Sequence, residues 1–185
     1  MRLKGLAVVL LLGLAFSASA ATPKTTEAPA IGTPAPVLLG KDGSGDDVDL
    51  TAYRGKVVIV TFWASWCSYC LKELPALNDL QVELGDQWLK IIAVNVQDEP
   101  KYYRLMLRQM RDYKILLARD KSGDIAASYG VRGYPNLWMI DPQGNVASHH
   151  VGYGEESLTK IVKEIKRVLT VELERQEAAR AAGAQ

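Results

Sequence analysis

The sequence predicts an α/β fold, a mixed central sheet with helices on both faces, and three observations carry that expectation. "VVIVTFW" at 57–63 is a nearly continuous β-branched and aromatic run, the composition of a central strand buried on both faces. From Ser68 the period turns helical, with Leu71, Leu74, Leu77, Leu80 and Leu84 three or four residues apart. Strand-like and helix-like segments alternate from there on, in the order β-α-β-α-β-α-β-β-α, with no internal repeat and no second domain.

The N-terminus is of another kind. Arg2 and Lys4 precede an apolar stretch from Gly5 to Phe16, and Ala18-Ser19-Ala20 follows as a small-x-small site. This reads as a secretory signal peptide over 1–20. The apolar stretch is shorter than the roughly 20 residues of a spanning helix, although an uncleaved anchor is the alternative. No cysteine follows it to carry a lipid. The expected location is therefore outside the cytoplasm, in a bacterial periplasm. Residues 21–36, "ATPKTTEAPAIGTPAP", are rich in Ala, Pro and Thr and read as a flexible leader. Residues 37–170 form one domain, and 171–185 a charged, Ala-rich tail expected to fray into solvent.

Charge excludes some functions. Without the signal, 20 basic residues face 21 acidic ones, a balance that suggests neither nucleic acid nor an anionic membrane as partner. The chain has two cysteines, Cys67 and Cys70. A bridge across three residues closes too short a loop to remove much unfolded-chain entropy, so a purely structural disulfide is disfavoured.

Within the domain, Val48 and Leu50 alternate as a short strand after the turn cluster "GKDGSGDD". Strand 57–63 leads into the leucine-faced helix, which contains Pro75 and has Gly85 as its stop. "WLKIIAVNV" at 88–96 is strand-like, 100–113 reads as a helix and "KILLA" at 114–118 as a strand. A short helix follows from Gly123 to Tyr129. The strand Asn136 to Ile140 meets Asp141-Pro142-Gln143-Gly144, a type I turn pattern, so Val146 to Val151 should return antiparallel. Leu158, Ile161, Val162, Ile165, Val168 and Leu169 mark the last helix.

The cysteines fall where the central strand ends and a helix begins, the end of an open α/β sheet where sites usually lie. Unpaired N–H groups and the helix dipole favour a thiolate at Cys67. Cys70 lies one turn deeper. Attack by Cys67 on a disulfide would give a mixed disulfide that Cys70 resolves. Other chemistries of such a pair lack residues. Haem attachment needs histidine at position 71, which is Leu71, and a peroxidase threonine at position 64 is replaced by Ala64. For zinc, only His149 and His150 remain as further ligands, and neighbours on a strand point to opposite faces. A copper chaperone using Cys67, Cys70 and one histidine stays open as a second class of function.

These residues resemble the thioredoxin superfamily, and within it the TlpA/ResA-like exported thiol-disulfide oxidoreductases. The likeness spans about residues 31–170 and is carried by "GKVVIVTFWASWCSYC", "LKELPAL", "VRGYPNLWMID" and "GNVASHHVG". It implies a thioredoxin-like fold with a strand and helix inserted between Lys90 and Tyr113. It also implies a cis bond before Pro135, a client segment pairing with the backbone of Tyr134, and Trp66 shaping the docking surface. Glu73 matches an acid thought to manage the proton of the second cysteine. General thioredoxins place an aspartate where this chain has Thr61. Pro75 is expected to kink the first helix. No cofactor is implied beyond the dithiol. The implied partners are an oxidised periplasmic protein, apocytochrome c among the family's known clients, and a membrane thiol-electron transporter of the DsbD/CcdA kind. The protein itself is expected to act as a monomer. Ser68 and Tyr69 carry no charge, which favours a reductant over an oxidant or isomerase.

Overall fold

The computed structural model describes residues 27–183; the expected signal peptide over 1–20 and residues 21–26 lie outside them. The strands are β1 (Leu38–Lys41), β2 (Asp47–Asp49), β3 (Val57–Trp63), β4 (Leu89–Val96), β5 (Leu116–Asp120), β6 (Asn136–Ile140) and β7 (Val146–Val151). The helices are α1 (Ser68–Trp88), α2 (Pro100–Gln109), α3 (Asp124–Ser128) and α4 (Ser157–Gly183). One seven-stranded sheet runs β2-β1-β5-β4-β3-β6-β7. β3 is central, parallel to β4 and antiparallel to β6, and every residue in it is buried. That is why its sequence shows no polar alternation.

Side chains leave β3 alternately, and each face has its own core. Ile59 and Trp63 pack with Leu74, Leu77, Ile161 and Ile165 of α1 and α4. Val58, Val60 and Phe62 pack on the other side with Ala35, Tyr129 and Trp138. Each large aliphatic side chain buried in this way contributes about 1.5–3 kcal/mol. The mixed sheet with covered faces is the architecture that the periodicity predicted.

Boundaries differ where local contacts override the sequence pattern. β1 was not anticipated. Its "LLGK" contains Gly40 at φ 103°, placed where a Cβ would collide with the Arg119 carbonyl of β5. Leu50, expected in a strand, opens a 3-10 turn over Leu50–Tyr53 whose cap is the Asp49 side chain. β5 begins at Leu116 rather than at 114, because the Lys114 N–H donates to Asn78 Oδ1 on α1 at 2.7 Å. The departure of α1 from helical backbone angles comes at Gly85 (φ 71°), not at Pro75. α2 ends at Gln109, four residues early, and the chain closes into turns at Met110 and Tyr113.

Two supposedly loose segments are held. The Gly32 N–H donates to the Val146 carbonyl, the Val146 N–H to that of Thr33, and the Tyr129 hydroxyl to that of Pro36. Part of the leader therefore straps the second core. The tail continues α4 to Gly183, with Glu172 bound by Arg175 and Gln176 at helical spacing and by Gln143 from the β6–β7 turn. Alanine-rich sequence with such pairs sustains a helix that charge alone did not reveal.

Candidate active site

β3 delivers the chain to the carboxyl edge of the sheet, and "ASW" turns it into α1. The turn is fixed from both sides. Before the cysteines, the Ser65 N–H donates to Asp98 Oδ2 at 2.8 Å, and Asn95 Nδ2 donates to the same oxygen at 2.7 Å. After it, Cys67 is the N-cap of α1 and its Sγ accepts the Cys70 N–H at 3.1 Å. A sulfur that accepts a backbone N–H at a helix start is stabilised as the thiolate. Cys67 and Cys70 form a disulfide, with Cα atoms 5.2 Å apart. Cys70 is wholly buried and Cys67 is 6% exposed, so only an edge of the first cysteine meets solvent. The exposure is small because both cysteines belong to the core of the α1 and α4 face.

Trp66 is 73% exposed beside this edge, and its ring meets Tyr134 edge-on with centroids 5.7 Å apart. The Tyr134–Pro135 bond is cis. Trp66 also lines a cleft of about 550 Å³ with Ser65, Asp98, Glu99, Tyr102 and Leu105. The inserted helix α2 thus forms one wall of the surface around the disulfide.

Glu73 lies one turn beyond Cys70 on the inward side of α1 and is 1% exposed. Among the described residues no cation pairs with it. The Thr61 hydroxyl donates to its Oε2 at 2.7 Å. Burial pushes the Glu73 carboxyl up to about 7, against the smaller opposite pull of the Thr61 bond. The residue that lacks an acid at 61 therefore serves the acid at 73. Sequence alone showed Thr61 as a missing group, with no sign of this bond. Asp98 and Asn95 also escaped it, because an anchor reached across the sheet leaves no local spacing.

The two histidines separate as strand geometry requires. His149 pairs with Trp138 across β6 and β7, stacks on its ring at 3.9 Å and shares a 2.9 Å hydrogen bond with Asn136. His150 pairs with Leu137, on the opposite face. Among the described residues, no three His, Cys, Asp or Glu side chains gather as a metal site.

With this geometry established, comparison with known proteins is specific. The profile of the AhpC/TSA family matches residues 31–149. The thiol-disulfide oxidoreductase ResA of Bacillus thuringiensis subsp. konkukian is 32% identical over 136 residues, 73% of this chain and 78% of that protein. ResA of Geobacillus thermodenitrificans is 35% identical over 135 residues, 73% and 76% of the two chains. Among solved structures, a Chlorobium tepidum protein assigned as the thiol:disulfide interchange protein DsbE superposes with a TM-score of 0.71 at 29% identity, over 77% of this chain and 99% of that one. The chain belongs to the AhpC/TSA family, is thioredoxin-like in fold, and stands within it among the ResA-type thiol-disulfide oxidoreductases.

Proposed function

We propose that the chain is an exported reductant of protein disulfides, cycling Cys67 and Cys70 between dithiol and disulfide. The observation that carries this reading is the buried pair at the start of α1 with Glu73 directly behind Cys70 and only Ser68 and Tyr69 between the sulfurs. An uncharged pair adds no cation to stabilise the reduced form, which favours a reducing potential, nearer thioredoxin's roughly −270 mV than the roughly −120 mV of the oxidant DsbA.

In the reaction, the Cys67 thiolate attacks a client disulfide and one client sulfur leaves as a thiolate, which takes its proton from water. Glu73 takes the Cys70 proton, and the resulting thiolate attacks Cys67 Sγ. The second client sulfur leaves, and the Cys67–Cys70 disulfide forms. Two electrons have passed to the client. Trp66 and the backbone of Tyr134 beside Pro135 present the docking surface, where an extended client segment pairs as an added strand. A membrane thiol-electron transporter of the DsbD/CcdA kind returns the electrons, and apocytochrome c is the client class the ResA likeness favours. The signal-like N-terminus supports action in the periplasm, where the protein is read as a monomer.

Equilibration in glutathione buffers tests the direction. A potential below roughly −220 mV is expected, and one above about −170 mV overturns the assignment. Replacing Cys70 by Ser traps clients as mixed disulfides on Cys67. Recovery of haem-free cytochrome c in that trap supports the client class, and its absence among trapped proteins counts against it.

A further inference from the structure

Glu73 must shed its proton after each turnover, and it has almost no exposed surface from which to do so. Glu73 instead lines a cavity of about 310 Å³ with His149, His150, Val151, Gly152, Ser157, Lys160 and Ile161. We propose that this cavity, between β7 and the first turn of α4, is the port through which the reaction's proton leaves, and that His150 relays it from Glu73 to solvent. The inference rests on Glu73 being the proton acceptor of Cys70.

The placement of the groups favours His150. Its register opposite Leu137 turns it toward the layer of α1 and α4, whereas His149 is committed to Trp138 on the other face. Around Glu73, the facing groups are Cys70 on α1, Thr61 on β3, Tyr153 in the β7–α4 loop, and His149, His150, Ser157 and Lys160 along the cavity, where the His149 ring is stacked on Trp138. Thr61 spends its hydroxyl proton in the bond to Glu73. Ser157 Oγ accepts the Gly154 N–H. Lys160 is paired with Glu156 at 3.0 Å at the exposed rim. Tyr153 is held in its protonated form by burial and then by the Glu73 charge. Only an imidazole both takes and gives a proton near neutral pH. Trp66, Cys67, Tyr134 and Pro135 do not line the cavity, so the route avoids the surface that a client covers.

The transfer balances within the proposed reaction. The Cys70 proton moves to Glu73, from Glu73 to a His150 nitrogen, and from His150 to water or buffer base, as Cys70 and Cys67 form their disulfide. The test is single-turnover oxidation of the reduced protein by a disulfide peptide at pH 7, followed by tryptophan fluorescence over a series of imidazole concentrations. His150→Gln is expected to slow Cys70 attack about fivefold in dilute buffer and to recover within about twofold as imidazole rises. The wild type and His149→Gln should respond little to the series. A His150→Gln protein as fast as wild type in dilute buffer overturns the relay, as does a slow one that imidazole does not rescue. Glu73→Gln separates the underlying reading: it should be slow and insensitive to imidazole, and a wild-type rate there would sink the acceptor role itself.

Discussion

Glu73 and Asp120 are equally buried, each 1% exposed, yet they sit in opposite electrostatic surroundings. Asp120, at the end of β5, accepts the N–H groups of Gly123 and Ala126 through its two oxygens and so fixes the start of α3. Glu73 receives one hydroxyl, from Thr61. A buried carboxylate supplied with donors is an anchor. One left short of donors keeps its proton to neutral pH and is ready to exchange it. The same fold places the first kind at the end of β5 and the second kind one turn beyond Cys70 on α1.

The difference can be broken from either side. Asp120→Ala should cost the most stability, about 3 kcal/mol, because two N–H groups lose their acceptor. Urea unfolding measures the loss, and disulfide reduction by the folded fraction should stay close to wild type. A cost below about 1 kcal/mol would mean that Asp120 is no anchor.

Glu73→Gln should act in the reverse sense, slowing mixed-disulfide resolution several-fold at neutral pH while removing a stability penalty. Below about pH 4.5 the carboxyl is protonated in both folded and unfolded chains and the penalty is absent. Between there and about 7 the unfolded chain ionises first, so stability falls as pH rises, by up to about 3 kcal/mol. The Gln variant should lack this slope in a urea series from pH 4 to 8. A slope equal to that of wild type would place its origin elsewhere.

Smaller effects sharpen the picture. His149→Ala removes the stack on Trp138 and should cost about 1 kcal/mol with no change in reductase rate; a large loss of rate would give this histidine a part in the chemistry. Thr61→Val deletes the bond that pulls Glu73 down, so the midpoint of its pH-dependent stability should move upward by less than about one unit. A downward shift would reverse the sense of that hydrogen bond.

What the sequence made legible follows from the range of the interactions. β3 and α1 could be read because burial imposes a local period on them, and the cysteines could be placed because they stand at the junction of two periods. Glu73 was marked by the likeness to the ResA-like family, in which it matches an acid beside the second cysteine. The Thr61–Glu73 bond, the Asp98 anchor and the His150 cavity join residues from separate elements, and no spacing in the chain announces them. β1 was hidden for a local reason, since Gly40 interrupts a very short apolar run. The end of α2 and the shift of β5 were decided by turns and by a side chain of α1, which propensity does not see.

The two ends of the turn before α1 are held by different parts of the protein, Ser65 by a carboxylate of the β4–α2 junction and Cys67 by the helix it caps. The entropy of ordering those residues is therefore lost during folding, and little of it remains to be lost when a client arrives. An unfolded client must still surrender its own freedom along the segment it lays beside the disulfide. Affinity for such clients is thus limited by their disorder more than by the protein's, and short, already extended segments should be reduced first.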